Sequence, residues 1–330
     1  MTPVLETVGL SKGFDLRGGI GQPARRVQAV SGVSLALMPG HTLGIVGESG
    51  CGKSTTARLI MGLMPADAGD LLLDGKAVGT GGGAMRAFRR NVQMVFQDSS
   101  ASLNPRLTLE RSVAFGPQVH GLPAREANAR ARDLLARVGL DPARFAGRYP
   151  HEVSGGQRQR VNIARALALQ PRVVIFDEAV SALDKSVEAQ VLNLLADLKA
   201  EFSLSYIFIS HDLNVVRHVS DEVVVMYLGQ VIERAPAADL YAAPAHPYTR
   251  ALLASMPSHD PDRRTTHPPL TGDPPSPIDL PPGCRFAPRC PLVADVCLAR
   301  APALAVRGRH ACACHLADAG SGHPQAGAGA

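Results

Sequence analysis

The sequence predicts an α/β fold, a mostly parallel sheet covered by helices on both faces. Three observations carry this. "TLGIV", "RVVIFDE", "SYIFISHD" and "DEVVVMYLG" are short, almost continuous apolar runs, the pattern of strands buried on both faces. Segments of helical period follow the first run, as "KSTTARLIMGLM", and separate the second from the third. The chain has 330 residues, ample for a large buried core and enough for roughly two domains.

Taken in order, "LETVGLSKGF" and "VQAVSGVSLALMPG" read as strands and turns, and Pro39-Gly40 closes the second with a turn signal. "TLGIV" runs into a glycine-rich loop and a helix. Residues 98 to 165 read as mostly helical. There "REANARARDLLARVGL" is amphipathic and stops near Gly139, with Pro142 just beyond. The remaining apolar strands follow. From about residue 257 the composition changes: eleven prolines lie between Pro257 and Pro291, which implies a linker and irregular structure. The last fifteen residues, "LADAGSGHPQAGAGA", are small and low in complexity and are expected to be disordered. The expected division is a core over 1–250 and an extension over 251–330.

Bulk properties exclude several classes. A net charge of +5 without a dense Lys/Arg block interleaved with aromatics does not argue for nucleic acid. No segment approaches the ~18 consecutive apolar residues that span a bilayer. The start, "MTPVLETVGL", lacks a basic flank and carries Glu6, unlike a signal peptide. A cytosolic chain is expected, its six cysteines reduced thiols or metal ligands rather than disulfides.

The chemistry begins with "GESGCGKS", which fits G-x-x-x-x-G-K-S from Gly47 to Ser54, with a strand before it and a helix after. Glycines let the backbone curl so that its N–H groups face phosphate oxygens, and the helix N-terminus adds a favourable dipole. Lys53 supplies a charge for the β- and γ-phosphates, and the Ser54 hydroxyl is a Mg²⁺ ligand. Ser49, Gly50, Cys51, Gly52 and Thr55 complete the loop, with Cys51 a small filler at a free position. This is the signature of a P-loop NTPase. "VVIFDE" supplies the other half: an apolar strand ending in two carboxylates sets them at the sheet edge where ligands gather. Asp177 can hold Mg²⁺, and Glu178 can polarise an attacking water as general base.

A second glycine turn, "SGGQRQR", lacks a lysine and opens the helix "RQRVNIARALAL". Alone it is a helix cap. Its bare N–H groups and the Ser154 hydroxyl could nevertheless grip a γ-phosphate delivered by another subunit. A head-to-tail pair, each turn closing on the nucleotide of its partner, is the economical arrangement.

The ordered series "GESGCGKST", "VFQD", "VSGGQRQR", "VVIFDEAVSALD" and "ISHD" resembles the ATP-binding subunit of ABC transporters over about residues 3 to 250. The resemblance implies a RecA-like parallel core with an N-terminal antiparallel β part and an inserted helical subdomain. It implies that Gln97 touches Mg²⁺ and relays to membrane subunits, and that Ser154, Gly155, Gly156 and Gln157 act across a dimer. Ser181 to Asp184 would line the dimer seam, His211 would contact the γ-phosphate, and Phe14 would stack on adenine. Val153 departs from the usual leucine and Ala179 from the usual proline, both keeping a small or apolar side chain.

"QDSSASLNPRLTL", "AHPYTRALLASMP" and "GCRFAPRCPLVADVC" followed by "HACACH" are similar to the oligopeptide/dipeptide importer branch, although Ser99-Ser100 replaces a more usual Pro-Tyr. The branch implies a second ATPase subunit, two membrane permeases and an extracytoplasmic binding protein, at the cytoplasmic face of the membrane. Peptide is the implied cargo; nickel, glutathione and sugars are carried by relatives. Cys284, Cys290, Cys297 and Cys314 match the four-cysteine pattern of this branch, which in some members holds a [4Fe–4S] cluster; the resemblance implies one here, and thiolates suit it. Zinc with His310 or His315, or plain reduced thiols, are the alternatives, and Cys312 is a bystander. A soluble ABC ATPase acting on ribosomes or DNA is a competing class. It is disfavoured because the chain carries one cassette and no long coiled-coil insertion.

Overall fold

The computed structural model describes residues 2–16, 25–256, 272 and 275–327. Most of the proline-rich linker, and the last three residues of the tail, lie outside the described residues. The described strands in chain order are β1 (Leu5–Leu16), β2 (Arg25–Leu37), β3 (Thr42–Val46), β4 (Ala68–Leu73), β5 (Lys76–Ala77), β6 (Val92–Val95), β7 (Val173–Asp177), β8 (Ser205–Ile209), β9 (Glu222–Tyr227), β10 (Gln230–Pro236), β11 (Ala305–Arg307) and β12 (His310–Cys312). The described helices are α1 (Lys53–Ile60), α2 (Gly82–Asn91), α3 (Leu109–Val119), α4 (Ala124–Arg137), α5 (Pro142–Phe145), α6 (Gly155–Leu167), α7 (Lys185–Phe202), α8 (Leu213–Val219), α9 (Ala237–Ala242), α10 (Pro247–Ala254) and α11 (Asp295–Ala299).

Two compact units form. One comprises residues up to Glu6, Ala36–Thr42 and Leu72–Ser210; the other comprises Thr7–Leu35, Leu43–Leu71 and the chain from His211 onward. Neither is a continuous stretch.

In the first unit, β6, β7 and β8 run parallel, in register from Val92↔Val173 to Val95↔Phe176 and from Val173↔Ser205 to Asp177↔Ile209. Every residue of β7 and β8 is buried, as their unbroken apolar sequence requires. The helical insertion packs α3, α4 and α6 together, and Val113, Ala114, Ala131, Leu135, Val161 and Ala164 on these helices are buried. Residues 98–107 form turns before α3 begins. There Asp98 accepts from the Ser100 and Ala101 N–H groups, which hold its carboxyl below the usual carboxylate range.

In the second unit, β2, β1 and the start of β4 lie side by side. The Thr7 hydroxyl donates to Val33 O, while Gly13 abuts Arg26, so β1 and β2 run in opposite directions as expected. β3 runs parallel to β9. β9 then turns through Leu228 and Gly229, both at positive φ, into antiparallel β10, a hairpin whose two turn residues match strand twist. β12 pairs with β10 and β11 with β12, so the C-terminal extension continues this sheet.

The expectation of a disordered tail is corrected as far as Gly327. Ser321 and His323 are buried; the Ser321 hydroxyl donates to His315 O, and His323 Nε2 lies 2.9 Å from Leu292 O. Composition misled because two polar side chains, not an apolar run, anchor the segment.

Candidate functional site

The glycine loop leaves β3 at Gly47 and enters α1 at Lys53. Gly47 and Gly52 have φ of 148° and 105°, and a side chain at either would meet a backbone carbonyl, that of Met226 or Ala29. Only glycine allows this close approach. The Lys53 ammonium folds back over the loop, donating to Gly47 O at 2.7 Å and Glu48 O at 3.0 Å. Ser49 and Gly50 are exposed, Ser54 and Thr55 half-buried at the helix start. α1 has no acidic residue in its first turn, so no side chain of the helix itself opposes an anion at its N-terminus. Burial pushes the Cys51 thiol up, and it sits 3.8 Å from Lys53 Nζ, in keeping with a filler. Phe14, at 40% exposure on β1, presents a ring to solvent, with Lys12 Nζ 6.0 Å from its centroid.

In the other unit, Asp177 ends β7 buried, and Glu178 follows at φ 49°. A left-handed glutamate costs about 1–2 kcal/mol. It is held by its N–H donating to Ile209 O and by Ser181, whose hydroxyl donates to Glu178 O at 2.8 Å. Such strain clusters at working sites. Its carboxylate accepts from Gln97 Nε2 at 2.9 Å, so two residues 81 apart in sequence meet. Ser154 caps α6: its hydroxyl accepts from Gln157 N, and Gln157 Oε1 accepts from Ser154 N at 3.0 Å. Gly155 and Gly156 form the first turn. A Cβ on Gly156 would lie 2.5 Å from Val187 Cγ1, so the second glycine lets α6 pass the start of α7. Asp184 caps α7 by accepting from Val187 N. His211 is exposed just beyond β8.

Cys284, Cys290, Cys297 and Cys314 do line one cavity, and Cys312 faces elsewhere. The structure nevertheless gives no support to a cluster there. Burial raises the Cys284 and Cys290 thiols and takes Cys314 to about 11. Among the described residues no group of three His, Cys, Asp or Glu could hold a metal. Zinc fits no better: His310 Nε2 lies 2.7 Å from Glu233 Oε1 and His315 Nε2 2.8 Å from Arg300 O. A nucleotide-bound Mg²⁺ is a different case, since it draws ligands from phosphate and water. Ser54, Asp177 and Gln97 have the oxygen donors for it.

Composition drew no attention to Tyr248, whose hydroxyl accepts from Glu48 N at 2.9 Å inside the phosphate loop. The only cue was its place in "AHPYTRALLASMP".

A family model described as ABC transporter matches residues 30–181, and one described as the C-terminal region of oligopeptide/dipeptide transporters matches residues 232–297. The oligopeptide transport ATP-binding protein AppF of Bacillus subtilis is 48% identical over 324 residues, covering 95% of this chain and 97% of the relative. The oligopeptide transport ATP-binding protein OppF of Escherichia coli is 46% identical over 323 residues, covering 96% of each. Among solved structures, the ATP-binding cassette MJ0796, described as a dimer in a post-hydrolysis state with ADP and Pi, superimposes with a TM-score of 0.62 at 26% identity. That match covers 71% of this chain and 98% of that one. Family models over both the cassette and the extension, with relatives matched over nearly their whole length, show that the chain belongs to the ATP-binding subunits of ABC transporters, in the oligopeptide/dipeptide branch.

Proposed function

We propose that this chain hydrolyses ATP to drive a peptide importer, working as one of a head-to-tail pair of ATPase subunits on two permease subunits at the cytoplasmic face of the membrane. The observation that carries the reading is the Gln97–Glu178 contact beside a buried Asp177. It equips the end of β7 with a base, its orienting amide and a cation ligand. Lys53 and the loop N–H groups bind the β- and γ-phosphates. Mg²⁺, when bound, neutralises phosphate charge, with Ser54, Asp177 and Gln97 as its holders. Glu178 accepts the proton of the attacking water while Gln97 fixes its carboxylate, and His211 steadies the γ-phosphate. Ser154 with Gly155, Gly156 and Gln157 closes on the partner's nucleotide, and Phe14 stacks on its own adenine. The dimeric cassette with ADP and Pi supports the pairing by analogy. The second ATPase is proposed to be a paralogue, with an extracytoplasmic binding protein delivering the peptide. No step involves an iron–sulfur cluster.

The test is Glu178→Gln. It keeps shape and hydrogen bonding but removes the base, so hydrolysis should fall by about 10²–10⁴-fold while ATP binding persists and dimers accumulate on a sizing column. Undiminished turnover would remove Glu178 from its role.

A further inference from the structure

The carboxylate of Glu48 presents a problem in a loop that must accept a polyanion. It lies between Gly47 and Ser49, and unpaired it would repel the incoming phosphates. The C-terminal extension answers it. Arg289 Nη1 and Nη2 donate to the two Glu48 carboxylate oxygens at 2.7 and 3.0 Å, a bidentate pair in which the arginine side chain is only 5% exposed. Every other polar group of Glu48 is also engaged. Its N–H donates to the Tyr248 hydroxyl, and its carbonyl accepts from Lys53 Nζ. Arg289 is itself held in place. Phe286, three residues earlier, is buried against Tyr227 and Tyr248 with ring centroids 5.4 and 5.5 Å away. Arg285 donates to Leu228 O and, at 3.1 Å, to the Ser31 hydroxyl.

We propose that Arg289 is a positioning residue for nucleotide binding: it neutralises Glu48 and fixes the phosphate loop in its open curl, so the extension is a working part of the ATP site. This rests on the assignment of ATP to the Lys53 loop. A buried guanidinium paired through two parallel bonds gives both charge and geometry, which a lysine would supply only in part.

The experiment titrates the full-length chain with a non-hydrolysable ATP analogue and Mg²⁺, alongside steady-state ATPase kinetics. Arg289→Gln is expected to weaken analogue binding about tenfold, roughly the worth of one charged hydrogen bond, and to raise KM with kcat largely kept. Arg289→Lys should fall between it and the native chain. The diagnostic variant is Glu48→Gln with Arg289→Gln, which removes both charges and should recover much of the lost affinity, because no lone carboxylate remains. A merely structural arginine would show equal losses in single and double variants. Such equality, or affinity within about twofold of native in Arg289→Gln, overturns the proposal. Should Arg289→Gln not fold, Arg289→Lys binding as tightly as native overturns it instead. Lys53→Ala serves as the control: if it binds the analogue normally, the ATP assignment itself has failed, whereas loss in Lys53→Ala with no change in the Arg289 variants sinks this inference alone.

Discussion

Glycines in the phosphate loop are not equivalent. At Gly47 a Cβ would strike the Met226 carbonyl, which belongs to the neighbouring strand β9 and cannot swing aside. At Gly50 the space is open and only the left-handed φ of 77° opposes a side chain. Gly47→Ala is therefore expected to cost about 3 kcal/mol or more, through overlap and strain together. Gly50→Ala should cost about 1 kcal/mol. Thermal melts of the two variants, read with analogue binding, check the order; equal losses would show that the loop moves as a whole. The Gly-Lys pattern identified these positions, but spacing alone could not rank them, because rank depends on a carbonyl almost 180 residues away in the chain. Glu178 shows the same limit. The base proposed for it is read from "VVIFDE", whereas its left-handed backbone and its bond from Gln97 arise only on folding.

At the level of elements, α10 begins with an unusual cap. His246 is fully buried, and its Nδ1 accepts from Tyr248 N at 3.0 Å, a bond that needs the neutral ring. Burial, with the nearby Arg250 charge, drops its pKa to about 3. The unfolded chain, with an ordinary histidine near 6.5, thus binds more protons between these values. Stability is intact above about pH 6.5 and falls as pH drops toward 3, by up to about 1.4 kcal/mol per unit. His246→Asn keeps a capping acceptor and should flatten that slope in denaturant titrations run across the interval; an unchanged slope would place the acid sensitivity elsewhere. Elements such as this one explain what sequence reading could reach. β3, β7, β8 and β9 announce themselves because strands buried on both faces are almost continuously apolar. The four-residue β6 and the mixed β10 do not, and β10 hides a fully buried Glu233. Its carboxylate accepts from Ala245 N and His246 N. A buried acid inside a strand reads as a surface position until its partners are known.

For the molecule as a whole, the proline-rich stretch invites the view that the C-terminal extension is a detachable appendage. The contacts of that extension argue otherwise. β12 pairs with β10 at Glu233↔Cys312 and Arg234↔Ala311, and Phe286 packs against both Tyr227 and Tyr248. Ending the chain after Met256 would bare the β10 edge, open the aromatic cluster and leave Glu48 without Arg289. Phe286→Ala isolates one of these effects and should cost about 3–5 kcal/mol, as removal of a buried aromatic ring does. The truncated chain combines all of them and adds an unpaired strand edge, a template for association. It is therefore expected to aggregate or melt at much lower temperature than the full chain, and to bind nucleotide poorly even where it stays in solution. Light scattering and melting curves on the two forms decide the matter: a truncated chain that remains monodisperse, melts with the native one and binds ATP equally well would make the extension an appendage after all.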